Sequence, residues 1–252
     1  KVTITESSTA VAHWSKDAYR LSINPNGGTY NGSTSTYEKS MDYEEEEVIS
    51  NPIREGYTFT GWDVSGTGST YNTTTKVFKM GYSNSTLTAK WTKNKYKLTI
   101  QETNTCDGEQ MLDYQETYQL CIPSKEGYTF AGWDDPDSLI NINDVVTMKA
   151  KDSTIKAKWT ANTYNYVVYH NKMNLDGTTY TRVDADTYNS SSEYGTVVVT
   201  EAKTYTGFKS LSNKSITIGV ESNNPPTNNV VNYNYEREKY TLTINPNGGT
   251  YT

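Results

Sequence analysis

Two histidines, His13 and His170, and two cysteines, Cys106 and Cys121, are the side chains of this chain best suited to nucleophilic or metal chemistry. So small a set leaves too few soft ligands for a zinc site. A Ser–His–acid arrangement would need one histidine beside an activated serine, and no nucleophile elbow stands in the sequence. His13 takes the place that Lys90 holds in Ala89-Lys-Trp91, a position that alternates to the solvent face of a strand. Gly66-Thr67-Gly68 is half of a phosphate loop without the lysine or second glycine pair that would complete it, so it reads as a hairpin turn. Asp134, Asp135 and Asp137, with Asn141, Asn143 and Asp144, offer oxygens of the kind calcium takes, but lack the EF-hand register and its glycine. Asp176, Asp184 and Asp186 make a weaker set of the same kind. The run Glu44–Glu47 reads as a solvated edge that discourages strand-to-strand aggregation. No acid–base pair, nucleophile or metal constellation emerges, and the chain reads as a non-enzyme without a cofactor.

What the sequence does carry is a repeat. Trp14-Ser-Lys-Asp-Ala-Tyr19, Trp91-Thr-Lys-Asn-Lys-Tyr96 and Trp159-Thr-Ala-Asn-Thr-Tyr164 share one spacing, and Tyr235-Glu-Arg-Glu-Lys-Tyr240 keeps it with Tyr for Trp. The junction tyrosines step by 77, 68 and 76 residues, and a fixed period of this kind decides architecture before any local reading. Gly56-Tyr-Thr-Phe-Thr-Gly-Trp62 answers Gly127-Tyr-Thr-Phe-Ala-Gly-Trp133, and Leu87-Thr-Ala-Lys-Trp-Thr92 answers Ile155-Lys-Ala-Lys-Trp-Thr160. The third repeat is a cousin, in which Tyr205-Thr-Gly-Phe208 is aligned with Phe59-Thr-Gly-Trp62. Tyr240 to Tyr251 repeats Tyr19 to Tyr30 almost letter for letter. The expected division is a closing hairpin of a truncated preceding repeat (1–18), two like repeats (19–95 and 96–163), the cousin (164–239) and the first strand of a truncated following repeat (240–252).

Leu21/Ile23, Leu98/Ile100 and Leu242/Ile244 alternate with Ser or Thr, the period of a sheet with one buried face. Asn24-Pro-Asn-Gly-Gly28 is turn chemistry, Pro fixing φ and Gly permitting positive φ. One short helix per repeat is expected before or through the Gly-Tyr-Thr-Phe motif. Asn51-Pro52 is a start signal, and Phe59 and Trp62, three apart, would share a helical face. The expected core comprises Trp62, Trp133, Phe59, Phe130, Trp91, Trp159 and Phe208, with Trp62 and Trp133 buried against the Leu21/Ile23 and Leu98/Ile100 strands.

Apolar residues make up 34% of the chain and mean hydropathy is −0.77, but 12% aromatic content and clear periodicity argue for folded modules. The net charge of −6 is interspersed, with no basic stripe, so no nucleic-acid partner is expected. No apolar run is long enough to span a bilayer, so no membrane contact by this segment is expected. Cys106 and Cys121 fall in segments that would pair, so a disulfide stitching a hairpin and two free thiols both fit the sequence.

At the paired Gly-Tyr-Thr-Phe-x-Gly-Trp blocks and the Ala-Lys-Trp-Thr endings, Tyr19 to Thr160 resembles the Listeria–Bacteroides repeat of the internalin B-repeat type. Tyr164 to Tyr235, with Asn174-Leu-Asp-Gly-Thr178 and the closing Val230-Val-Asn-Tyr run, resembles a mucin-binding-protein repeat. The resemblance implies a mainly β (α+β), β-grasp-like fold in small modules set end to end as a rod. It also implies an extracellular, cell-surface setting on a bacterium, attached through other parts of the chain, and a role in extending or assisting adhesins. It brings no catalytic residue. The first functional expectation is an extended spacer or stalk. The alternative is an adhesion module for glycan, glycoprotein or other surface proteins, acting through residues 164–239.

Overall fold

The computed structural model describes residues 3, 5–7 and 9–249. The first repeat contains β1 (Ala18–Asn24), β2 (Tyr37–Asp42), β3 (Glu46–Val48), β4 (Tyr57–Ser65), β5 (Thr70–Asn72), β6 (Val77–Lys79) and β7 (Ser85–Lys93). Its main sheet runs β2–β1–β7–β4, with β1 and β7 as a parallel central pair flanked by antiparallel partners. Alternation along β1 sends Leu21 and Ile23 inward, and alternation along β7 sends Ser85, Leu87 and Ala89 the same way. The small sheet β3–β6–β5 supplies Phe78, and the two sheets enclose a core that also holds Met41, Ile49, Trp62 and Met80.

The expected helix is absent among the described residues, where the one helical element is the 3-10 turn Asp184–Asp186. Tyr57–Ser65 is a strand, and a register shift between Phe59 and Gly61 explains why the spacing misled. In a regular strand residues 59 and 62 would face opposite ways. One extra residue at the bulge, with Gly61 at φ 139°, resets the alternation and turns Phe59 and Trp62 to one side. Their ring centroids then lie 5.2 Å apart, as do those of Phe130 and Trp133 across the matching bulge. Three-residue spacing marks a helical face or a bulged strand equally. The expected mainly β class is borne out, without the helix of its α+β form among the described residues. Gly66-Thr67-Gly68 is not a hairpin turn either, because it connects β4 of one sheet to β5 of another.

The second repeat contains β8 (Lys95–Gln101), β9 (Gly108–Asp113), β10 (Thr117–Gln119), β11 (Tyr128–Asp134), β12 (Val145–Thr147) and β13 (Ser153–Ala161). The sheet order β11–β13–β8–β9 is the first repeat's order in mirror sequence, and β10–β12 stands for the small sheet.

The third repeat contains β14 (Thr163–Met173), β15 (Tyr180–Arg182), β16 (Tyr188–Glu193), β17 (Val197–Thr200), β18 (Lys214–Thr217) and β19 (Val230–Tyr235). Here β14 pairs antiparallel with β15 and β16, and parallel with β19. The strand equivalent to β4 shrinks to a single bridge between Phe208 and Arg237. Since Tyr57 pairs with Lys93 and Tyr128 with Ala161 beside the closing strands, Phe208 is the counterpart of Tyr57 and Tyr128. The alignment of Tyr205–Phe208 with Phe59–Trp62 is thus corrected by five residues.

By contact the chain forms two compact units, Lys1–Thr99 with Glu109–Leu120 and Asp135–Thr154, and Ile100–Gly108 with Cys121–Asp134 and Ile155–Thr252. This division runs through the second repeat rather than between repeats. Of the expected core aromatics Trp62 is buried, whereas Trp133 is only half-buried, as are Phe59, Trp91, Phe130, Trp159 and Phe208. Phe59 and Trp91 border the core of the first repeat, and Phe208 borders that of the third.

Candidate functional site

The most regular construction in the molecule is the joint after each repeat. In the first unit the peptide of Asn94 is held on both sides. Its N–H donates to the Gly56 carbonyl (2.9 Å), and its carbonyl accepts the Tyr114 N–H (2.9 Å). The Thr58 hydroxyl donates to Asn94 Oδ1 (2.6 Å). The second unit builds the same joint. Asn162 N–H donates to Gly127 (2.8 Å), Tyr194 N–H donates to the Asn162 carbonyl (2.8 Å), and the Thr129 hydroxyl donates to Asn162 Oδ1 (2.5 Å).

In each case the hairpin tyrosine lies flat over the glycine, in edge-on contact with the following ring. Tyr57 meets Tyr114 at 6.0 Å, and Tyr128 meets Tyr194 at 5.6 Å. A Cβ at Gly56 or Gly127 would enter the Tyr114 or Tyr194 ring, and both glycines sit at positive φ, 74° and 77°. Glycine is required there twice over, by backbone and by space. Arg54 over Tyr57 and Lys125 over Tyr128, at 3.9 and 4.2 Å, add cation–π contacts at equivalent positions. Half of this joint recurs elsewhere: Tyr43 N–H donates to Asp17 (2.8 Å), and Glu238 N–H donates to Gly207 (2.9 Å). The sequence displayed the ruler of Trp, Asn and Tyr. It gave no sign that Gly56, Gly127, Tyr114 and Tyr194 complete it.

The third repeat holds a cluster of ionisable groups around a cleft. A cleft of about 510 Å³ is lined by Tyr166, His170, Asp186, Tyr188, Glu201 and Lys203 among others. His170 is buried, with its ring stacked 5.0 Å from Tyr233 and Nδ1 2.9 Å from the Tyr235 hydroxyl. Burial pushes its imidazole below the ordinary value, and the Lys203 ammonium adds to the shift. The Lys203 ammonium (2.5 Å) and the Tyr205 hydroxyl hold the Asp186 carboxyl below its usual range. Burial, then the hydrogen bond to the Asp186 carboxylate and its charge, raises Tyr205. Lys203, Asp186 and Tyr205 thus form a closed charge-assisted network whose partners satisfy one another.

The other sequence candidates serve structure. Asp135 caps the N–H groups of Leu139 (2.6 Å) and Ile140 (2.8 Å), Asp137 pairs with Lys151, and Asn141 closes its own turn on Asn143. Among the described residues no group of three or more His, Cys, Asp or Glu could hold a metal ion. Asp176 caps Thr178 and Thr179, whose hydrogen bonds bring its carboxyl to about 2. In the acidic run, Glu44 pairs with Lys79, and Glu45 and Glu47 share Lys39. His13 is exposed. Cys106 and Cys121 form a disulfide with Cα atoms 6.5 Å apart. The bond does not stitch a hairpin, since Cys106 lies in the loop between β8 and β9 and Cys121 follows β10. No helix among the described residues is long and apolar enough to cross a membrane.

Family models match within the first two repeats. Residues 19–90 match the family model of the Listeria-Bacteroides repeat domain, and residues 103–163 match that of the divergent InlB B-repeat domain. Internalin H of Listeria monocytogenes is 37% identical over 118 residues, 44% of this chain and 20% of that protein. A protein of Evansella cellulosilytica described as a Gly-rich membrane protein is 30% identical over 167 residues, 62% of this chain and 19% of its own length. The chain therefore spans about a fifth of the relatives it matches. Among solved structures, tandem SHIRT domains 3-4 from a streptococcal cell surface protein align with 57% of this chain and 98% of their own. That alignment has 14% identity and a TM-score of 0.22, values at which the likeness bears on neither fold nor function.

Proposed function

We propose that this chain is a non-catalytic repeat region of a bacterial cell-surface protein, acting as an extended spacer or stalk that projects an adhesive or other functional domain. The observation that supports this reading is the twice-built joint of Gly56, Asn94 and Tyr114, and of Gly127, Asn162 and Tyr194. A spacer must transmit position, and a joint clamped by two backbone hydrogen bonds and a ring seated on glycine resists bending more than a Gly/Ser linker would. The internalin and membrane-protein names of the relatives support a surface setting. Small-angle scattering tests the reading. Three modules of roughly 30 Å each, end to end, give a maximum dimension of about 90–100 Å, whereas one compact globule of this mass gives about 60 Å. The shorter value would remove the spacer reading.

A second reading, adhesion through residues 164–239, is supported by the cleft of the third repeat, with the mucin-binding-protein resemblance as its background. Two tyrosines, Tyr166 and the exposed Tyr188, stand there beside the Asp186 and Glu201 carboxylates and the Lys203 ammonium. Apolar ring faces beside hydrogen-bonding charges suit a sugar. Screening the chain against immobilised mucin glycans, with Tyr188→Ala as the control, separates the readings. Binding abolished by the substitution supports adhesion, and no binding by either protein removes it.

A further inference from the structure

The two complete joints show what normally covers a hairpin tyrosine, and one hairpin tyrosine lacks its cover. Tyr114 and Tyr194 are half-buried under Gly56-Tyr57 and Gly127-Tyr128. Tyr43 occupies the same place after the same kind of strand, and its N–H makes the same bond to the junction residue, Asp17 (2.8 Å). Yet Tyr43 is 38% exposed and Tyr82 60% exposed. With Tyr19 and residues 15–17 they line an open cavity of about 400 Å³. Trp14 follows the same pattern. It precedes Asp17 by three residues, as Trp91 precedes Asn94 and Trp159 precedes Asn162. Trp91 and Trp159 pack on Phe59 and Phe130 at 5.6 and 5.7 Å, whereas Trp14 is 92% exposed.

We infer that the face formed by Tyr43, Tyr82 and Asp17, with Trp14 three residues before Asp17 in the chain, is a docking surface for the Gly-Tyr-Thr-Phe segment of a further repeat of the same type. The complete joints supply the chemistry. The partner's glycine carbonyl accepts the Asp17 N–H, and its threonine hydroxyl donates to the Asp17 carboxylate where Thr58 and Thr129 donate to an asparagine. Tyr43 covers the glycine, which must lack a Cβ, and the partner's phenylalanine packs on Trp14. The carboxylate in place of an amide makes the threonine contact a charge-assisted hydrogen bond. The inference rests on the joint geometry that supports the spacer reading. Its test is local, whereas scattering reads length, so the two fail separately.

The test is a chain in which a second copy of residues 19–91 replaces residues 1–14 and runs directly into Ser15, compared with the chain as it is. Amide exchange of Asp17 is the readout, because its N–H gains an acceptor only when the added glycine docks. Docking slows that exchange roughly tenfold or more. Asp17→Asn in the extended chain keeps the protection, and Tyr43→Ala abolishes it while β1 and β7 of the original first repeat stay protected. Unchanged Asp17 exchange with the added repeat folded, judged by protection of its own β1 and β7 copies, would overturn the proposal. So would protection in the unextended chain that grows with protein concentration, since the occupant would then be a second molecule.

Discussion

Beneath the sheet of the first repeat lie Met41, Ile49, Trp62, Phe78 and Met80, with Tyr30 beside them. In the third repeat, around the corresponding parallel pair β14 and β19, lie Tyr166, Tyr233, Tyr235 and His170. The pairing of a first strand with a parallel closing strand is common to both. The fillings differ in kind. Dispersion and apolar burial hold the first, and tolerate small shifts of any one side chain. The third depends on hydrogen bonds with fixed directions. Tyr233 accepts from Lys214 N–H (2.8 Å), donates to the Thr200 carbonyl (2.8 Å) and lies 2.9 Å from the Thr200 hydroxyl. A buried polar network in a low-dielectric interior is specific and unforgiving, so one scaffold carries two different sensitivities.

The largest expected effect breaks the apolar side. Trp62→Ala removes a side chain that is 7% exposed and touches both Phe59 and Tyr30. Truncating a buried tryptophan costs ~3–5 kcal/mol, comparable to the whole stability of a small module. Amide exchange should show β1, β4 and β7 losing protection while β14 and β19 keep theirs. Equal loss in both repeats would mean that the repeats do not unfold independently.

The polar side should respond to a far smaller edit. Tyr233→Phe deletes one oxygen and leaves the Lys214 N–H without its acceptor, a loss of about 1–3 kcal/mol. Denaturant unfolding followed at β14 should register this change. An unchanged midpoint would show that water replaces the hydroxyl and that the network is not what orders this core.

Acid should separate the two repeats without any mutation. The folded-state value of His170 lies below the ordinary value of about 6.5, so the unfolded chain takes up a proton first as the pH falls. Stability of the third repeat is therefore full above that value and is lost as pH falls below it, until the folded imidazole protonates too. Asp186 and Glu221, both held low, lose their contributions only at lower pH, as the pH falls through the carboxylate range. Between pH 7 and 5, exchange in β14 should accelerate beyond its intrinsic change, exchange in β1 should not, and His170→Gln should flatten the difference. Parallel pH profiles for the two repeats would refute the assignment.

The smallest effect is expected at the surface of the first repeat. Lys79→Ala breaks the ion pair with Glu44, whose side chains are 42% and 47% exposed, and exposed pairs are worth less than ~1 kcal/mol. A thermal melt should barely move. A clear drop would mean that the acidic run is a structural element rather than a solvated edge.

Much of the strand pattern is legible because a sheet with one wet face writes its period into the chain, as Leu21/Ile23 and Leu98/Ile100 do. The helix expectation failed at Phe59 and Trp62 because a bulge changes alternation by one residue, and sequence spacing does not distinguish that from a helical turn. The disulfide was left open because connectivity depends on where loops meet, and Cys106 and Cys121 lie in segments that do not pair. The cleft of the third repeat was invisible for a similar reason. His170, Asp186 and Lys203 lie 16 and 17 residues apart along the chain and meet only once β14 is in place.

By itself the sequence determined that the chain is modular, where its junction residues fall, and that its strands carry one buried face, since repetition and two-residue alternation are properties of order along the chain. Only the tertiary structure decided which glycine lies under which tyrosine, and that Phe208 answers Tyr57 rather than Trp62. It also decided that a buried histidine is stacked on tyrosine in the third repeat, where the first repeat buries methionine, isoleucine and phenylalanine. Those relations depend on strand register and ring orientation across distant segments, which packing fixes in space and residue spacing does not encode.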